Sequence, residues 1–473
     1  MQVAAIASWV GPAAMAVAGG AVILHWLVAS GPMVPVAARV PLDHQTAAAA
    51  RPTIDLKGFF RAGDGKPGLL HGAWPMFRAA RRDNASGENA RLARTGLGSD
   101  PPKLWQIDVA EGYAGAAIVD GRAYLLDYDT QGRADVLRCL SSSDGKEIWR
   151  RGYAIDVGRN HGITRTVCAV ANGCVVSIGP RCQVLCADAK TGDFKWGIDL
   201  VRDFGATEPP WYTGQNPLID GNNVILAPGG TALLMAVDLA SGKILWQTPN
   251  PRKWEMTHSS VMPALFHGRR MYLYCASGGL TGVGADDGAL LFELPEWKVS
   301  MANVPSPLPL PGDRILLTGG YGAGTMMIQL EEVGGKIVPR ILYRLPPEVF
   351  GAEQHTPIFY KGYIYGVIPA GGSGQLACLS LEGKQMWVSG SKYRFGLGSY
   401  LIADGLILLL NDTGTLTLVE ATEAAFKPLA TCRLFDHGHD SWGPMALVEG
   451  RLFARDVTRL ACFDLREREA AHE

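Results

Sequence analysis

Apolar and polar positions alternate along short stretches of this chain, and the stretches come in pairs. In Leu233–Trp246 (LLMAVDLASGKILW) an apolar strand runs into a polar turn, Asp-x-x-Ser-Gly-Lys, and out into a second strand ending in tryptophan. Alternation with period two suits strands half-buried against a neighbouring layer, and the turn glycine takes the positive φ that a tight hairpin requires. The phrase recurs at Val136–Trp149, Gln183–Trp196, Gly279–Phe292 and Gln375–Trp387. Five such hairpins predict a repeating all-β architecture.

A second pattern sets the repeat length. A polar residue and a glycine precede an apolar strand at Gly121, Gly173, Gly221, Gly268, Gly312, Gly362, Gly405 and Gly450, on average about every 47 residues. That period, with four short strands per unit, is what a β-propeller blade needs, and eight copies predict eight blades. Lys103–Val109 (KLWQIDV) is an outer-type strand with no inner strands before it, and Arg459–Leu465 (RLACFDL) begins the hairpin phrase without a Trp-bearing partner after it. Pairing the two closes the ring and removes an exposed edge. The fifth blade carries a longer hairpin, Met326–Leu345, and the seventh, Thr415–Leu429, lacks tryptophan.

Ahead of the repeats, residues 1–38 hold no Lys, Arg, Asp or Glu, and Pro12–Ser30 offers 19 residues of mainly apolar character. At about 1.5 Å per residue this just crosses a bilayer core of about 30 Å. Met1–Val10 lacks the basic region of a signal peptide, so residues 1–31 are read as an uncleaved anchor helix rather than a cleaved signal. Residues 32–73, rich in Ala, Pro and Gly, are read as a flexible tether with one short ordered piece at Ile54–Phe60, and 74–473 as the propeller. A net charge of −1 argues against a nucleic-acid partner. The chain is read as a monomer.

Of nine cysteines, Cys139, Cys186, Cys378 and Cys462 occupy one small buried slot of the repeat; Cys168, Cys174 and Cys182 are close enough in sequence for a local disulfide. No Cys/His zinc spacing or CxxCH haem attachment is present. His161, His258, His355, His437 and His439 all stand just before innermost strands, as do Gln215 and Glu353. So do Arg165, Trp211, Tyr212, Asn216, Asn303, Gln354, Arg394, Asp440 and Trp442. Loops in that position gather at one mouth of a propeller's channel, so these residues form a candidate ligand funnel. His437 and His439, two apart beside Asp440, offer half of a metal site and lack a remote third ligand; no metal or catalytic residue is assigned.

The phrases CADAKTGDFKW and AVDLASGKILW resemble the tryptophan-docking motif of pyrroloquinoline quinone (PQQ)-type propellers, within the quinoprotein alcohol dehydrogenase-like superfamily. The resemblance runs from Trp74 to about Leu465 and includes WPMFRAARRDN, EGYAGAAIVDG and HDSWGPMALVEG. It implies tryptophans wedged between blades, and export to the periplasmic side of the cell envelope, although Arg39 after the apolar run mildly opposes that orientation. It also implies two functions for the same ring. One is a membrane-tethered scaffold that binds an envelope protein or a small ligand without chemistry of its own. The alternative is a PQQ-dependent oxidoreductase of alcohols or sugars, with Arg165 and Arg394 gripping the carboxylates of PQQ beside Ca²⁺. The dehydrogenase pattern also includes adjacent cysteines, a Glu/Asn pair for the metal and an Asp base. No two cysteines are adjacent here, and neither the metal pair nor the base is matched to a position of this sequence. No cofactor is assigned with certainty.

Trp246→Ala is expected to cost about 3–5 kcal/mol, as large aromatic truncations in a packed core do; a denaturation midpoint unmoved by it would count against tryptophans between the blades.

Overall fold

Eight four-stranded antiparallel units stand around one axis, each running from an innermost to an outermost strand in chain order. The computed structural model describes residues 53–94, 101–369 and 374–467, together with the helical Gly19 and Gly20. The expected anchor helix otherwise lies outside the described residues. Blade 1 starts its inner strand at Ala117, and blades 2 to 8 start theirs at Ala169, Leu218, Met262, Leu308, Ile358, Tyr400 and Ala446. The eighth is completed from the other end of the chain: Lys103–Asp108 pairs antiparallel with Arg459–Asp464, Trp105 facing Cys462. Beyond Gly19 and Gly20, the one described helix is the single turn Leu200–Phe204, capped by the Asp199 carboxylate.

The inner hairpins turn where the polar-Gly pairs predicted. Asp120-Gly121, Asn172-Gly173 and Asp404-Gly405 all have positive φ at both residues, the type I′ geometry that matches strand twist. Blade-to-blade contact is made by the outer strands. The indole of Trp149 in blade 1 lies over Gly192 in the turn of blade 2, where an added Cβ would stand 2.7 Å from the ring. Its N–H donates to the Lys190 carbonyl of that turn at 3.1 Å. Trp196 repeats this on Gly242 and the Leu239 carbonyl of blade 3. Trp105 of the closing strand does the same to Gly145 and the Ser142 carbonyl of blade 1. Cys139, Cys186, Cys378 and Cys462 are the small cross-strand neighbours of Trp149, Trp196, Trp387 and Trp105. Where blade 5 lacks the turn, Phe292 of blade 4 packs instead in a cluster with Ile315, Ile328 and Ile341. Cys168 and Cys174 are separate buried thiols, and the Cys182 sulfur lies 3.1 Å from the Thr213 hydroxyl.

Arg455 secures the closure. Completely buried in blade 8, it donates to the carbonyls of Ala114 and Ala110, at 3.0 and 2.9 Å, on the connection between the closing strand and blade 1.

Two N-terminal segments are more ordered than the sequence suggests. Phe59–Ala62, which sequence placed in the tether, adds a fifth strand to the outer edge of blade 1. Residues 74–86 run against the inner strands at the axis. Trp74 exchanges backbone hydrogen bonds with Ile118 of blade 1, and the Pro75 carbonyl accepts from Val170 of blade 2. Arg78 donates to the Thr356 and Pro357 carbonyls of blade 6, and Asn84 and Ser86 bond to Tyr400 and Ile402 of blade 7. Ala93 reaches Leu465 beside blade 8. The chain bends sharply enough that Arg78, Ala79, Arg82 and Asn84 all adopt left-handed φ without a glycine among them. Each such residue costs on the order of 1 kcal/mol, offset here by contacts to several blades at once.

Trp149, 2% exposed, should follow the full aromatic penalty of about 3–5 kcal/mol on truncation to alanine. Trp246 contacts Gly288 of blade 4 but is only partly buried, so Trp246→Ala should cost less. Equal shifts in urea midpoint for the two variants would contradict this ordering.

Candidate functional site

The loops that enter the innermost strands meet over the axial segment and enclose a cavity of about 250 Å³. Every blade contributes: Tyr113 precedes blade 1, Arg165 blade 2, Trp211 and Asn216 blade 3, and His258 blade 4. Ala302 and Val304 come from blade 5, Glu353 to His355 from blade 6, Leu397 from blade 7 and Trp442 from blade 8. Phe77 of the axial segment also lines it.

Its walls are aromatic. Tyr113 stacks on Trp442 with ring centres 5.1 Å apart, and the Arg165 guanidinium lies over the Tyr113 ring at 5.1 Å. Trp442 is fixed by its N–H, which donates to the Asp412 carboxylate at 2.8 Å. Across the cavity Trp211 approaches His161 and His258. Trp211 and Tyr212 are consecutive bulky residues with left-handed φ, a conformation that persists only where the surroundings enforce it. Here Arg165 Nε donates to the Trp211 carbonyl, and the Tyr212 hydroxyl donates to the Gly158 carbonyl.

The polar lining is largely committed to the protein. Asn216 accepts from the Val167 amide at 2.6 Å and donates to Ser260 at 2.9 Å. Arg165 Nη2 donates to the carbonyls of Asn160 and His161, both at 3.0 Å, and Nη1 has no hydrogen-bond partner among the described residues. Burial pushes His258 down to about 4, helped by the Arg165 cation and opposed by the Pro210 and Tyr212 carbonyls. His355 is likewise pushed to about 4, chiefly by burial, with Arg78 adding to it. Both are neutral imidazoles at neutral pH, and the Nε2 of each is buried without a hydrogen-bond partner. Glu353 is the one carboxylate among the lining residues, and burial raises it above the usual range.

Of the residues assigned to the funnel by sequence, His161, Arg165, Trp211, Asn216, His258, Glu353, Gln354, His355 and Trp442 line the cavity. The others do not. Tyr212 turns to Gly158. Asn303 is buried beside the Cys275 thiol in the wall between blades 4 and 5. Arg394 is exposed, because the loop before blade 7 presents Leu397 to the cavity instead. His439, 68% exposed, lies 3.7 Å from the Asp440 carboxylate on the outer side of its loop. No group of three His, Cys, Asp or Glu among the described residues could hold a metal ion. Sequence reasoning missed Tyr113, although it stands before the first inner strand as the others stand before theirs. Phe77 left no periodic signal to find.

Residues 132–323 match a family model described as outer membrane protein assembly factor BamB. No curated protein matches the chain. Among solved structures, BamB from Moraxella catarrhalis is similar at 13% identity and TM-score 0.52, covering 77% of this chain and 99% of its own. The quinohemoprotein alcohol dehydrogenase ADHIIG from Pseudomonas putida HK5 is similar at 12% identity and TM-score 0.55, covering 85% and 82%. A europium-containing methanol dehydrogenase reaches TM-score 0.56 at 12% identity, covering 83% and 98%. At these identities the likeness is one of fold. What these structures establish for this chain is the eight-bladed β-propeller fold.

The cavity does not fit PQQ with Ca²⁺. Of the two arginines meant for the carboxylates, Arg394 is exposed, and Glu353 is the one carboxylate among the lining residues where a divalent cation needs several oxygen donors.

The histidines give a pH signature. Their native values near 4 lie below the ordinary 6.5, so as pH falls from about 6.5 to about 4 the unfolded chain takes up protons that the native state refuses. Stability is therefore full above 6.5 and is lost on acidification, by up to about 1.4 kcal/mol per pH unit for each histidine. Buried Asp135, raised to about 7 by burial while the Tyr153 hydroxyl donates to it, acts in the opposite sense: its contribution is full below 3.8 and is lost toward pH 7. Comparing wild type with His258→Gln cancels Asp135. The variant should lose less stability between pH 6.5 and 4.5; identical slopes in denaturant titrations would contradict a neutral buried His258.

Proposed function

We propose that this chain is a binding propeller of the cell envelope, tethered by residues 12–30 on the periplasmic side, which engages a small ligand or an envelope protein and performs no chemistry itself. The observation that carries this reading is the composition of the funnel. It is aromatic and rigidly held, its two buried histidines, His258 and His355, are neutral with Nε2 occluded, and its one carboxylate belongs to no metal donor set among the described residues. Such a surface recognises shape and charge; it lacks the pairs of titratable groups with opposed environments that acid–base catalysis requires. The match to a family described as an outer-membrane assembly factor supports the envelope setting. Among the described residues no helix is long and apolar enough to cross a membrane, so the tether rests on the sequence of residues 12–30.

The competing reading, a quinoprotein oxidoreductase, draws on the dehydrogenases that share the fold. The full chain mixed with PQQ and Ca²⁺ should oxidise no member of an alcohol and sugar panel in a dye-linked assay and should give no binding heat with PQQ; turnover would overturn the proposal. In cell fractionation the full chain should sediment with membranes, and a variant lacking residues 1–31 should not. Soluble full-length protein would remove the tether.

A further inference from the structure

The axis of the ring is cationic although the chain as a whole carries a net charge of −1. Arg78 and Arg82 are buried there at 3% and 4% exposure. Arg78 donates to the carbonyls of Arg82, Thr356 and Pro357, and Arg82 to the Met76 thioether. Arg165, at the cavity, likewise spends Nε and Nη2 on carbonyls. None of the three makes an ion pair among the described residues; the Asp83 and Asp220 carboxylates act on Arg78 and Arg82 from beyond salt-bridge distance, so each guanidinium keeps part of its desolvation cost. Their fields reach the walls of the funnel: Arg165 acts on His258 and Arg78 on His355. With the axial segment seated beneath the cavity, Arg165 and Arg78 act on a small, largely apolar space.

We infer that the funnel takes a small organic monoanion, a carboxylate on an aromatic body, with its headgroup on Arg165 Nη1 and its ring between the Trp211 and Trp442 sides of the cavity. One unpaired guanidinium edge matches one carboxylate, and a volume of about 250 Å³ limits the body to roughly a single ring system. Glu353, which lines the same cavity from the blade 6 side, disfavours a second negative charge. The inference rests on the binding reading above and narrows it to a ligand class.

Phenylacetate and its uncharged analogue phenylacetamide test it, titrated into the full chain with tryptophan fluorescence and calorimetry as readouts. Phenylacetate should bind with one-to-one stoichiometry, and phenylacetamide about tenfold or more weaker, the worth of a charge-assisted hydrogen bond. Arg165→Gln should lose the preference for the acid while still binding the amide, Arg165→Lys should keep it, and Arg340→Gln on the outer strand of blade 5 should leave it unchanged. Because the acid–amide comparison is made on the unmodified protein, it decides the matter even if Arg165→Gln folds poorly. Equal affinity for acid and amide, or no binding of the acid, would overturn the inference. Equal affinity would leave a binding funnel standing, whereas PQQ-dependent turnover would remove that broader reading whatever the carboxylate did.

Discussion

The contact on which this molecule depends is an aromatic ring laid over the turn glycine of the next blade, with its polar hydrogen given to a carbonyl there. Each contact fixes the position of one sheet relative to its neighbour, and only a glycine leaves room for the ring. Trp149, Trp196 and Trp105 make it in full, and Tyr343 repeats it on Gly383 with its hydroxyl donating to the Leu381 carbonyl. The contact at Trp105 crosses the seam. Because that indole belongs to a strand from the N-terminal side, the ring closes by the same means that joins blade to blade, and Arg455 ties the connection behind it.

A closed ring of eight blades leaves space on its axis, and the chain fills that space with itself. Residues 74–86 satisfy part of their backbone on inner strands of several blades, bringing two arginines into the interior. The guanidinium groups are tolerated because inner-strand ends supply carbonyls at hydrogen-bond distance. The segment thereby turns a channel into a funnel with Phe77 in its lining, and it sets the sign of the field that any ligand meets. Structural closure and recognition are in this sense one device.

The ring was legible in the sequence because it is written in periodic terms. Strand alternation, the polar-Gly turns and the hairpin phrase repeat, and the unpartnered KLWQIDV and RLACFDL strands could be matched by elimination. Eight blades and the Trp105–Cys462 pairing followed. The funnel was legible in part: position before an inner strand located Arg165, Trp211, Asn216, His258, Gln354, His355 and Trp442, but position alone does not say which way a loop residue turns. Arg394 and His439 face solvent and Asn303 faces the wall for that reason. The axial segment was not legible. Its residues adopt left-handed backbone without glycine and bury arginines, so neither propensity nor hydrophobic pattern marks it as core.

The central claim is that residues 74–86 are an integral part of the ring's interior. Amide hydrogen exchange reads this most directly, since Trp74 and Ser86 donate their N–H groups to Ile118 and Ile402 of inner strands. The account predicts that these amides exchange as slowly as those of the inner strands they bond to, opening only with the ring itself. Exchange at the rate of an unprotected chain, while the blades remain protected, would contradict it.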